Sequence, residues 1–163
     1  MADSQEAERE LQGPTDDPKA ILVAVDASSG APRVLSMAAR MSRAMPGATV
    51  HVVHVFRTSR LDRARAGTPT GNADLIADAK EQHEYNVRSM RKQCRATING
   101  HFVLGEPAHE ILALSESLDV DLLVVGTHDY VGFERFLLGS IAETLMRKAG
   151  CPVLIVRPKS HKH

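Results

Sequence analysis

The chain has 163 residues, 43% hydrophobic and 25% charged, which suits one globular domain and is too short for two. Lys+Arg and Asp+Glu each number 20, so the formal net charge is zero, which argues against a bulk electrostatic binder of nucleic acid. Two cysteines outside any CxxC spacing exclude a disulfide framework and argue against zinc, and no apolar run reaches the roughly 20 residues that cross a bilayer.

Residues 1–18 hold six acids (Asp3, Glu6, Glu8, Glu10, Asp16, Asp17) and one base, Arg9, leaving 19 bases against 14 acids in the remainder. With Pro14, Pro18 and few apolar residues, this stretch predicts a disordered acidic tail. It lacks a basic start and an apolar h-region, so it reads as no secretory signal and the protein as cytoplasmic. One domain is expected over 19–158, followed by a short tail, 159–163.

Five apolar runs predict strands in chain order: Ala20–Val25, Val50–Phe56, His101–Leu104, Leu122–Val125 and Val153–Val156. Most are continuous and β-branched, as in strands buried on both faces. Four helical stripes lie between them. Val34, Ala38, Met41 and Met45 make the first; Ile76, Ala79, His83, Val87, Met90 and Cys94 the second. Ile111, Leu114 and Leu118 make the third, and Ile141, Leu145 and Ala149 the fourth. Ser28, Ser29 and Pro32 predict the first helix start and Pro107 the third, while Ser140 with Glu143 reads as a capping box for the fourth. Strand alternating with helix predicts right-handed βαβ crossovers and one doubly wound α/β domain.

In such a sheet ligands bind beyond the carboxyl ends of the strands. Several chemistries are missing there: no GxxxxGK[ST], no GxGxxG after the first strand, and no GxSxG. The exit over 57–71 is long and poor in apolar residues, which reads as a disordered loop, a lid or a partner loop. The exit over 126–140 is distinctive. A strand runs into a long glycine-bearing loop, and then Gly139-Ser140 opens a helix. Glycines admit an anion to the backbone, and a helix N-terminus offers N–H donors and a positive dipole end.

This segment resembles the glycine motif of the universal stress proteins, G-x2-G-x9-G-[S/T], with Gly126, Gly139 and Ser140 in place. The resemblance continues through Ala24-Val25-Asp26, His54-Val55, Gly105-Glu106-Pro107, Val120-Asp121 and Cys151-Pro152, over about residues 19–158. It implies a three-layer α/β sandwich, a five-stranded mostly parallel sheet and strand order 3-2-1-4-5. It also implies an ATP site. Adenine and ribose would meet Ala24, Val25, Asp26 and Val55, and the phosphates Gly126, Thr127, Gly139, Ser140 and Ile141. The second motif glycine is here Asp129, whose carboxylate would repel phosphates at roughly 1–4 kcal/mol per charge pair unless Mg²⁺ bridges them. Ala142 replaces a hydroxyl found in some ATP binders.

The family further implies a homodimer through Val153–Val156, an apolar edge with no central charge, and a proline at Leu154 is expected to remove a ladder donor there. Other features have plain readings. Asp26 either caps the following loop or touches ligand; His51, His54 and His83 pack; His128 is an exposed loop residue or a phosphate contact. Arg88, Arg91, Lys92 and Arg95 form a solvated face or meet an acidic partner, and Cys94 and Cys151 are small core residues. No nucleophile with a placed base, and no clear carboxylate pair, marks an enzyme. The sequence therefore points to a stress-response module that binds an adenine nucleotide without being an enzyme. The alternative is a dimeric stress-response interaction protein that binds none.

Overall fold

Continuous apolar runs become strands here because both faces of the sheet are covered by helices. The structure, a computed structural model, describes residues 19–26, 30–58, 72–127 and 138–157. The strands are β1 (Ala20–Ala24), β2 (Thr49–Arg57), β3 (Thr97–Gly105), β4 (Leu122–Gly126) and β5 (Val153–Val156). Between them lie helices α1 (Ala31–Ala44), α2 (Asn72–Gln93), α3 (Pro107–Ser117) and α4 (Ser140–Lys148). The sheet is parallel throughout, in the order β3-β2-β1-β4-β5 that the resemblance implied. Expectations for 1–18, Ser28, Ser29, 59–71, His128, Asp129 and 159–163 fall outside the described residues.

The central strand shows how the sequence builds two cores. Ile21, Val23 and Val25 enter one with Val34, Leu35 and Ala38 of α1 and Val87 and Met90 of α2. Ala20, Leu22 and Ala24 enter the other with Ile111 of α3 and Ala142 and Leu145 of α4. Successive residues point to opposite faces, so a strand sandwiched by helices must be apolar at all positions. Ile21, Leu22, Leu123 and Leu145 are fully buried, each worth about 1.5–3 kcal/mol of transfer free energy. Among the described residues no helix is long and apolar enough to cross a membrane.

Four local expectations change. β3 begins at Thr97, not His101, because it lies at the sheet edge. Thr97 and Asn99 face solvent there and Gly100 has no side chain, so no apolar run announces them, yet they continue the ladder with β2. β1 ends at Ala24, although the Val25 N–H still donates to the Val53 carbonyl at 3.0 Å. The capping box does not form: Gly139 is the N-cap of α4 and Ser140 its first residue. Glu143 turns instead to Arg147, one turn on, at 3.0 Å. Pro107 opens α3 and Pro32 lies in the first turn of α1, as expected.

The fourth change concerns Leu154. The Leu123 N–H donates to the Pro152 carbonyl at 3.0 Å and the Thr127 N–H to the Val156 carbonyl at 3.1 Å. In a parallel ladder, alternate residues face the same neighbour. Pro152, Leu154 and Val156 therefore turn their backbone toward β4, and Val153 and Ile155 turn theirs outward. A proline at Leu154 would damage the β4–β5 ladder, not the free edge.

Candidate functional site

At the carboxyl end of the sheet, the register places Ala24 beside Val53 on one side and Val125 on the other. Asp26, Val55 and Thr127 thus come level across β1, β2 and β4. Ala24, Val55 and Ile141 all pack, partly exposed, against the core beneath α3 and α4. They form an apolar floor beside the N-terminus of α4. Val25 differs from expectation. Its side chain is buried in the opposite core, under α1 and α2, so only its backbone lies at this exit.

Gly126 ends β4. A Cβ there would stand 3.0 Å from Val34 Cγ2, so the close approach of α1 already requires a small residue at this position. Thr127 follows. Its N–H is used by Val156, and its buried Oγ1 has no hydrogen-bond partner among the described residues. A buried hydroxyl without a partner costs about 1–3 kcal/mol unless something meets it. Gly139 is extended (φ −61°, ψ 148°), so its lack of a side chain matters for access, not for conformation. The Gly139 carbonyl accepts from the Glu143 N–H at 2.9 Å. The N–H groups of Ser140, Ile141 and Ala142, in the first turn, have no partner within the helix and carry the positive dipole end. Ser140 is exposed at this terminus.

The structure therefore brings Ala24, Asp26, Val55, Gly126, Thr127, Gly139, Ser140 and Ile141 to one end of the sheet. Asp129 lies outside the described residues. Two residues escaped the sequence reading. Arg33, in the first turn of α1 beside Val34, has a buried Nε with no partner among the described residues. Asp121 works at the other end, where its Oδ2 accepts from the Ala20 N–H at 2.7 Å and closes the start of β1. Nothing short of the strand pairing could have signalled that bond, because the two residues lie 101 positions apart.

The histidines of β2, β3 and α2 pack in pairs. His51 Nδ1 lies 2.9 Å from His101 Nε2 on one face of the β2–β3 pair. His54 and His83 meet on the other, their ring centroids 6.3 Å apart, as packed residues of a core. Burial, with His54 and His101 nearby, pushes His83 down to about 4. Among the described residues no group of three or more His, Cys, Asp or Glu is placed to hold a metal ion.

The family model described as "Universal stress protein family" matches residues 18–157. Universal stress protein A homolog 1 of Coxiella burnetii is 32% identical over 147 residues, 85% of this chain and 95% of that protein. A universal stress protein of Methanocaldococcus jannaschii is 35% identical over 85 residues, 52% of this chain and 50% of its own length, so this chain matches about half of that relative. Among solved structures, the universal stress protein from Archaeoglobus fulgidus in complex with dAMP superposes with a TM-score of 0.61 at 30% identity, covering 85% of this chain and 97% of that one.

Proposed function

The chain belongs to the universal stress protein family, and from that premise we propose that it is a non-enzymatic stress-response module that binds an adenine nucleotide. The base and ribose lie on the floor of Ala24 and Val55, with Asp26 as acceptor for a sugar hydroxyl. The phosphates meet the N–H groups of Ser140 and Ile141, the Ser140 hydroxyl and Thr127. One observation carries the reading: the buried Thr127 Oγ1, without a partner among the described residues, stands level with an apolar floor at the strand exits, the floor itself packed beside the N-terminus of α4. The dAMP complex of the Archaeoglobus fulgidus relative supports it. The protein acts as a cytoplasmic homodimer joined through the outward backbone of Val153 and Ile155 on β5.

A second reading, a dimeric interaction protein without nucleotide, draws on Asp129, a carboxylate where the motif has glycine. Calorimetric titration with ATP, with and without Mg²⁺, separates the two. Wild type is expected to bind, to lose affinity when Mg²⁺ is withdrawn, and to favour AMP or adenosine when Mg²⁺ is absent. Asp129→Gly should tighten ATP about tenfold and adenosine less, since relieving a repulsion of about 1–2 kcal/mol corresponds to that factor. If neither protein binds at millimolar nucleotide, the site is vestigial and the second reading stands.

A further inference from the structure

At the opposite, amino end of the sheet, the last turns of α1 and α2, the link Pro46–Ala48 into β2 and the start of β3 line a groove of about 670 Å³. Its walls carry Arg43, Arg91, Lys92 and Arg95, all exposed, and no Asp or Glu. Arg91 donates to the Ile98 carbonyl at 3.3 Å, which holds one wall. Arg57, Arg88 and Arg147 pair with carboxylates, whereas no ion pair among the described residues involves Arg43, Lys92 or Arg95. Two helix C-termini contribute about half a negative charge each, so four cations exceed what dipole compensation asks for by about three charges.

The polypeptide itself brings the matching charge to this place. Lys19 precedes β1, and its carbonyl accepts from the Thr49 N–H at 2.8 Å, directly beside Ala48 of the groove. The residues before it hold six acids and one base. From Lys19 the groove lies two strand spacings away, about 10 Å, and a segment of 18 residues reaches up to about 60 Å. A tethered acidic segment is presented there at roughly millimolar effective concentration.

We propose that the acidic segment 1–18 docks in this groove of its own chain, covering Arg43, Arg91, Lys92 and Arg95 by charge pairing. The contact is many-centred and exposed, so it is salt-sensitive and exchangeable. It hides a basic surface from other polyanions until a competitor displaces it.

A nitroxide on Ser4→Cys, in the full chain carrying Cys94→Ala and Cys151→Ala, tests this by paramagnetic broadening of amide signals. Broadening is expected at residues 91–97 in low salt, absent from 73–80 at the far end of α2, and lost at about 0.5 M NaCl, where screening shortens to about 4 Å. Arg91→Glu with Arg95→Glu should abolish it. Glu6→Gln, Glu8→Gln and Glu10→Gln should also abolish it, and these leave the folded domain untouched should the arginine variant not fold. Broadening that is absent, survives salt or spreads evenly along α2 overturns the proposal. So does equal broadening of unlabelled copies mixed with labelled ones, because the segment then serves a second molecule.

Discussion

β3 and β5 both end the sheet, yet they do so with different means. β3 runs nine residues, pairs with β2 at every one, and turns Thr97 and Asn99 to solvent. The 22-residue α2 lies along it. β5 has four residues, Val-Leu-Ile-Val, with three of them only partly buried. A polar, well-covered edge resists pairing with another chain, whereas a short apolar edge with free outward ladder groups invites it. The contrast teaches that two ends of one sheet can differ in how readily they accept another strand, and the proposed homodimer uses the more open one, β5.

The largest effect that could break this contrast lies in β5. Leu154→Pro should lower stability on the order of 2–3 kcal/mol in urea unfolding, because it strips a donor from the buried β4–β5 ladder. Ile155→Pro keeps every β4–β5 ladder donor and loses only the partial packing of one side chain, so it should cost less stability than Leu154→Pro and give a monomer in light scattering at micromolar concentration where wild type gives the proposed dimer. Equal losses of stability from both prolines would show that β5 has no free side.

Next comes Gly100, on the β3 edge. A Cβ there would stand 2.8 Å from Val87 Cγ2 and 3.2 Å from His83 Nε2, so α2 can lie this close only over a glycine. Gly100→Ala should cost about 1–3 kcal/mol. The matched control before β5 is Gly150→Ala, which meets nothing within 4 Å and should be neutral. Thermal unfolding of both variants compares them directly.

A further test is acid. Between α2 and β2–β3, His83 is 5% exposed and neither ring nitrogen has a hydrogen-bond partner among the described residues. His54 and Phe102 face it from the strands, and Glu84 lies next to it on the helix. Its folded value, about 4, lies below the unfolded 6.5, so the unfolded chain binds the proton first. Stability should therefore be full above pH 6.5 and fall as the pH drops from 6.5 toward 4. The loss at pH 5 relative to pH 7.5 is about 2 kcal/mol. Burial lowers His51 and His101 as well, which adds to the loss in the same direction. His83→Leu should flatten the slope, and amide exchange at pH 5 should rise first in α2 and β3, not in β5. A slope unchanged by that substitution would remove His83 from the account.

The two edges also show what a sequence can reveal. β1, β2, β4 and β5 were legible because burial on both faces writes itself as an unbroken apolar run. The first half of β3 was not, because an edge strand buries one face and Thr97, Asn99 and Gly100 carry no apolar signal. At the site, Gly126, Gly139 and Ser140 were visible as a motif. That Gly126 also makes room for Val34, that Val25 turns into the other core, and that Gly139 and not Ser140 caps α4 depend on contacts and dihedrals. No spacing along the chain encodes these. Arg33 and Asp121 matter only through neighbours brought together by the fold.

β1 is the first strand synthesised and the one that waits longest for its second neighbour. Its neighbour on one side, β2, follows within one crossover, but Asp121, which seals its other side, is made 101 positions after Ala20. At roughly 5–20 residues per second of synthesis, that interval is about 5–20 s. Throughout it Ile21–Val23, fully buried in the finished protein, is an open edge as apolar as β5. The danger of mispairing is thus greatest on the ribosome, and the pace of translation through residues 58–122, more than the stability of the finished sheet, sets how long it lasts.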